Sequence, residues 1–173
     1  LPGEDKIRVT NYADLLLAEE RMKQLAEDYG IANVTKQELT GLVDKNSINA
    51  PDGFGNETVE NLFDGNTGTK YCTGANLPLT IKWSMSEPVA VSVYALATAN
   101  DSPDRDPKAW TLEGSNDGES WTVIDTVTNG ELSEERFRFK EFFCDKPDTY
   151  QHYRLVITET KGGPISQLSE IML

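Results

Sequence analysis

Hydrophobic positions along this chain change their period once. Across residues 11–29 apolar side chains recur every three or four places. Tyr12, Leu15, Leu16, Met22, Leu25, Ala26 and Tyr29 fall on one face, and Glu19, Glu20, Lys23 and Glu27 on the other. Asn11 suits the N-cap, Asp14 sits where the helix dipole favours a carboxylate, and Gly30 suits the left-handed residue that ends a helix. The pattern predicts a helix over residues 11–29. A second, shorter helical turn is predicted around residues 36–42.

From about residue 39 the period becomes two. Leu79, Ile81 and Trp83 alternate with polar neighbours, as do Val89, Val91 and Val93. Trp110 and Leu112 alternate up to the turn Gly114-Ser115-Asn116-Asp117-Gly118, after which Trp121 and Val123 resume the alternation. Phe137 and Phe139, then Tyr153, Leu155 and Ile157, follow the same rule. No helical run long enough for a crossover separates these strands, which excludes a parallel α/β sheet. The expected architecture is an antiparallel sandwich or barrel. Its core is expected to hold Trp83, Trp110, Trp121, Phe137, Phe139 and Tyr153, all on the apolar phase.

Charge narrows the function classes. Sixteen basic residues against twenty-nine acidic ones give a net charge of −13. Nucleic acid and anionic membrane surfaces both require clustered Lys and Arg, so neither is expected as a partner. No apolar stretch approaches the roughly eighteen residues a membrane span needs, so no insertion is expected. A chain of 173 residues, 38% hydrophobic, suffices for one core plus an appendage. It starts at Leu1 without a basic and apolar leader, so localisation has to be read from other features. Cys72 and Cys144 are too few for a disulfide scaffold; one bridge and two free thiols both remain open. Sequons begin at Asn33, Asn56 and Asn100, close to what an Asn- and Thr-rich chain yields by chance.

Four ordered pieces carry a family resemblance. They are N-L-F-D-G-N-T-G-T-K-Y at 61–71, A-T-A-N-D-S-P-D-R-D-P-K-A-W-T-L-E-G-S-N-D-G-E-S-W at 97–121, Y-Q-H-Y-R-L-V-I-T at 150–158 and I-S-Q-L-S-E-I-M-L at 165–173. In this order they resemble the discoidin domain, or coagulation factor five/eight type C domain, whose bacterial relatives include the family 32 carbohydrate-binding modules. The resemblance spans residues 39–173 and implies an all-β, eight-stranded antiparallel jelly-roll sandwich of the galactose-binding-like kind. Residues 1–38 lie outside it, as an N-terminal helical extension or linker.

The clearest chemistry lies at the Asp64 turn. Asp64, Asn66 and Thr69 put a carboxylate, an amide oxygen and a hydroxyl around a glycine-containing turn. Such hard oxygens suit Ca²⁺, which tolerates irregular shells of roughly six to eight ligands. The loop is no EF-hand, because Ala75 stands where the closing Glu would be. From spacing alone, an ordinary Asp-Gly-Asn turn is an equal reading. The resemblance supplies the second carboxylate, Glu170, and the main-chain carbonyls of Asn61 and Ser169, and with them a structural calcium ion.

Sugar binding needs a ring face for the apolar side of a pyranose and polar groups for its hydroxyls. Phe54, between glycines in P-D-G-F-G-N, is either that face or a plug folded over the sandwich end. In the loop at 100–108, Asp101, Arg105 and Asp106 offer acceptors and donors between two prolines. An internal ion pair of Arg105 with its flanking aspartates is the alternative. His152, the single histidine, is expected in a solvated or cross-strand role. With no nucleophile elbow or phosphate loop in the chain, and with a resembled fold that binds while neighbours catalyse, the expectation is a non-catalytic carbohydrate-binding module. It would belong to a larger secreted, periplasmic or cell-surface glycan-processing protein, beside a catalytic domain. The expected ligand is a neutral or amino sugar; acidic glycans are disfavoured unless Arg105 is free of its aspartates. An adhesion or protein-interaction module without sugar binding is the alternative reading.

Overall fold

A computed structural model describes residues 8–9, 19–21, 24 and 36–173. Residues 19–21 and 24 are helical and fall within the helix predicted over 11–29; the rest of that prediction lies outside the described residues. The second predicted turn is present as a short helix, Lys36–Gly41.

Two antiparallel sheets make up the body. The chain runs through β1 (Arg8–Val9), β2 (Val43–Asn49), β3 (Tyr71–Thr73), β4 (Leu79–Ala90), β5 (Val93–Ala97) and β6 (Pro107–Ser115). It continues through β7 (Thr122–Val127), β8 (Phe139–Phe143), β9 (Thr149–Thr160), β10 (Ser166–Leu168) and β11 (Glu170–Met172). One sheet has the order β2-β4-β9-β6-β7 and the other β1-β8-β5-β11, with β3 and β10 forming a separate pair. Consecutive strands are often not neighbours, as in the β4–β9 and β5–β11 pairings, which gives the jelly-roll crossing of chain between sheets.

The core fills the space between the sheets. On β4 the alternation read from sequence is kept: Leu79, Ile81, Trp83 and Met85 are buried. Trp83 packs on Phe63 at 5.1 Å, and Trp110 of β6 meets Phe142 of β8 edge-on at 5.0 Å, so the two sheets interdigitate through aromatic rings. One polar chain crosses the same core. Trp110 Nε1 donates to the Tyr94 hydroxyl at 2.9 Å, which donates to Asp125 Oδ2 at 2.6 Å. Burial and the adjacent carboxylate both push the Tyr94 hydroxyl well up, so it stays a donor at every ordinary pH.

Two residues expected in the core are not there. Trp121 lies just before β7 and is half-buried, with the Arg154 guanidinium 4.4 Å above its ring. The cause is an irregularity in the β6–β7 register between Leu112 and Glu113. It sends Ile124 and Asp125 inward and leaves Val123 exposed, reversing the phase counted from Trp110. Phe137 is 39% exposed, because its backbone is left-handed at φ 60° and breaks the alternation before β8. Trp83, Trp110, Phe139 and Tyr153 are buried as expected. Cys72 and Cys144 are free thiols, and burial drives the Cys144 thiol up to about 12. No described helix is long and apolar enough to cross a membrane.

Candidate functional site

The Asp64 turn follows a short 3-10 helix, Val59–Phe63, whose Leu62 and Phe63 are anchored in the core. Gly65 takes φ 73°, a conformation that favours glycine, and lets the chain reverse beneath Asp64. Asp64 Oδ1 accepts from Asn66 N at 2.9 Å, and the Thr69 hydroxyl donates to Asp64 Oδ2. From the far end of the chain, Glu170 on β11 accepts from Gly65 N at 3.1 Å. Asp64, Thr69 and Glu170 therefore converge, although 106 positions separate the outermost two in sequence. The Asn66 side chain is occupied by Gly68 N at 2.8 Å. Asn61 and Ser169 use their side chains to clamp main-chain carbonyls, Asn61 those of Asn56 and Lys70, and Ser169 that of Thr98.

Glu170 is the buried member of the group. It is 1% exposed, and its Oε1 has no hydrogen-bond partner. Burial, followed by a hydrogen bond with Asp64 and that carboxylate's charge, pushes its carboxyl up to about 9. Two carboxyl groups this close, one of them buried, either share a proton or are joined by a cation. Among the described residues no group of three or more His, Cys, Asp or Glu side chains converges, so the donors are two carboxylates with neutral oxygens. That set fits a hard cation such as calcium better than zinc.

The second candidate surface lies beside β3. Phe54 is 49% exposed, its backbone N–H donates to Cys72 O at 2.9 Å, and its ring lies against Gly74, which has no side chain to push it away. Behind the same loop a cleft of about 490 Å³ is lined by residues that include Asn49, Asp52, Thr58 and Glu60. Arg105 ends the 3-10 turn Pro103–Arg105, and its charge works against the upward push that burial gives the Cys72 thiol.

The alternative reading of Arg105, an ion pair with its neighbours, does not hold. Asp106 is fully buried, and Arg136 grips it with both nitrogens at 2.9 and 2.7 Å while Lys161 approaches at 3.7 Å. That removes Asp106 from any ligand surface and makes it the strut of the loop. Asp101 keeps an exposed side chain, but its Oδ1 accepts from Lys70 at 3.0 Å, and Gln167 donates to its carbonyl at 2.6 Å. The Lys70 hydrogen bond holds the Asp101 carboxyl below its usual range. Arg105 is half-buried and, among the described residues, has no carboxylate within ion-pair distance. Lys70, Arg136 and Gln167 escaped the sequence reading. Lys70 stood next to Thr69 in the quoted turn, whereas nothing local marks Arg136 or Gln167 as partners of a loop some thirty or more residues earlier. His152 is a cross-strand residue as expected, with Nδ1 2.7 Å from the Ser84 hydroxyl.

Comparison with known proteins bears on the fold. A family model of the F5/F8 type C group, described as NedA-like, galactose-binding domain, matches residues 61–142. Among solved structures, a family 32 carbohydrate-binding module of Clostridium perfringens (CpGH89CBM32-5), in complex with GalNAc-β-1,3-galactose, superposes with a TM-score of 0.65 at 18% identity. The match covers 78% of this chain and 96% of that one. The family 32 module of C. perfringens NanJ, in complex with galactose, also reaches 0.65, at 16% identity over 79% and 96% of the two chains. That of Streptococcus pneumoniae EndoD reaches 0.59 at 18% identity over 72% and 93%. The fold is thus the galactose-binding-like sandwich that the resemblance implied. A curated relative, a peptide-N(4)-(N-acetyl-beta-glucosaminyl)asparagine amidase of Arabidopsis thaliana, is 53% identical over 55 residues, which are 31% of this chain and 8% of that protein.

Proposed function

We propose that this chain is a non-catalytic carbohydrate-binding module whose ligand rests on Phe54 and is addressed by Arg105. The observation that carries the proposal is the pairing of an exposed ring with an arginine whose donors are not consumed by the protein. Phe54 is held to Cys72 by its backbone hydrogen bond, and the Arg105 charge reaches the Cys72 thiol. An apolar sugar face stacks on the Phe54 ring, and hydroxyl oxygens accept from Arg105. Asp101 adds an acceptor held in place by Lys70 and Gln167.

The ligand is a neutral or amino sugar, in keeping with the GalNAc-β-1,3-galactose and galactose held in complex by two structural neighbours. Because Arg105 lacks a carboxylate partner, sugars bearing a carboxylate are the informative second class. A calcium ion held by Asp64, Thr69 and Glu170 has a structural role in this reading, joining the turn after the 3-10 helix to the last strand. The parent protein is proposed to process glycans, a reading supported by the short match to an amidase named for glycan-linked asparagine.

A glycan array followed by calorimetry on the hits is the test. Binding is expected at roughly 0.1–1 mM, about 4–5 kcal/mol, because a shallow site keeps little after the costs of association. An array without hits among neutral, amino and acidic sugars would refute the reading.

A further inference from the structure

One guanidinium fastens both ends of the loop that carries Arg105. Arg136 Nη1 donates to the Asp101 carbonyl at 3.1 Å and to Asp106 Oδ1 at 2.9 Å, and its Nη2 donates to Asp106 Oδ2 at 2.7 Å. The same side chain is anchored on its own loop, with Nη2 on the Ser133 carbonyl at 2.8 Å and Nε on that of Glu134 at 3.1 Å. Water hardly reaches the pair, whose side chains are 0% exposed for Asp106 and 15% for Arg136. Lys161 comes only to 3.7 Å of Asp106, and its ammonium is held by the Leu132 carbonyl at 2.6 Å. The other two acids of the loop are also turned from Arg105. Asp101 accepts from Lys70 and Gln167. Asp104 lies over Gly163, its Oδ2 3.0 Å from where a side chain there would begin, and its carbonyl accepts from Gly162 N at 3.0 Å. Arg105 thus stands near three carboxylates and, among the described residues, forms an ion pair with none of them.

We infer that Arg136 is a positioning residue of the proposed sugar site, which keeps Arg105 available by holding Asp106 out of its reach. The ligand half of this statement rests on the carbohydrate reading above; the availability of Arg105 does not. A carboxylate stays buried only where a cation and donors satisfy it. Without Arg136, Asp106 loses both of its side-chain hydrogen bonds. The next cation along the chain is Arg105, one position away, with its fork uncommitted. Arginine takes carboxylates with two parallel bonds, so a freed Asp106 turns outward and occupies the donors that sugar hydroxyls need. A pair that merely shaped the loop would be damaged equally from either side. A guard is not: removing Asp106 leaves no acid to be released, and Arg136 keeps the carbonyls of Asp101, Ser133 and Glu134.

The experiment uses the full chain as wild type, Arg136→Gln, Asp106→Asn and the R136Q/D106N double variant, each below its melting temperature. Phenylglyoxal, which modifies free guanidinium groups, is the first probe, with Arg105 followed by peptide mass spectrometry. Galactose and N-acetylgalactosamine, titrated by calorimetry, are the second. In R136Q, Arg105 should react roughly tenfold more slowly than in wild type and sugar should bind roughly tenfold more weakly, the effect of one charge-assisted pair. D106N and the double variant should keep the labelling rate and the affinity of wild type, although each melts lower. Arg136→Lys replaces R136Q where that protein fails to fold, with changes in the same direction. Labelling of Arg105 that is unchanged or faster in R136Q, or slowed equally in D106N, overturns the assignment. Sugar binding undiminished in R136Q also overturns it and leaves the carbohydrate reading intact. Labelling in the expected order without sugar uptake by any of the four proteins supports the hold on Asp106 and sinks the carbohydrate reading instead.

Discussion

Single residues carry most of what distinguishes this chain from a generic sandwich. Arg105 is the plainest case. Asp104 and Asp106 flank it in sequence and Asp101 precedes it by four positions, yet Asp106 is claimed by Arg136, Asp101 by Lys70, and among the described residues no ion pair joins Arg105 to Asp104. The composition makes this informative, because in a chain with a net charge of −13 a free arginine is harder to arrange than a free carboxylate. Asp117 shows the opposite economy. Its Oδ1 accepts from Glu119 N at 2.8 Å, Ser120 N at 2.7 Å and the Ser115 hydroxyl at 3.0 Å, and the backbone donors come first in holding its carboxyl down to about 2. A carboxyl lowered in the folded state stabilises above its unfolded value and loses that contribution as pH falls through the folded one. Asp117→Asn should therefore melt below wild type at pH 5 to 7, and the gap should close as pH drops toward 2. A gap unchanged with pH would mean that the turn gains nothing from the charge.

Elements show where sequence reasoning succeeds and where it runs out. The β4 and β9 strands were legible because each alternates between a wet face and the core over its central stretch, from Leu79 to Met85 and from Tyr153 to Ile157, and the Asp64 turn was legible because all its close-range oxygens lie within six residues. The phase of β7 was not legible. An irregularity in its pairing with β6 moves Ile124 inward and Val123 outward, and nothing in the local spelling announces it. Phe137 failed for a related reason, since a left-handed residue resets the period without a glycine to signal it. Arg136 and Gln167 were invisible because their partners lie far along the chain. Between the sheets, Trp110, Tyr94 and Asp125 join β6, β5 and β7 through two hydrogen bonds. Tyr94→Phe removes both, taking the indole N–H's acceptor and one donor to the Asp125 carboxylate out of the core, so chemical denaturation should show a loss of about 1–3 kcal/mol. A loss below a few tenths of a kcal/mol would mean that the chain of bonds is incidental.

Over the whole molecule, the Asp64 turn and β11 form the closure that brings the early and late parts of the sandwich together. If calcium occupies that closure, it binds the native state alone and stabilises by mass action. Wild type should melt lower in EDTA than in millimolar calcium, and Asp64→Ala or Glu170→Ala should abolish the difference. Identical melting with and without calcium would remove the metal from the account. The proposed sugar site stands or falls on its own. Its most direct test is calorimetric titration of the full chain with galactose and N-acetylgalactosamine, alongside any array hit, for wild type, Phe54→Ala and Arg105→Ala. Saturable binding near 0.1–1 mM is expected for wild type, with each variant weakened roughly tenfold or more at nearly unchanged melting temperature. Binding that survives both substitutions, or variants that lose stability while keeping affinity, would contradict it.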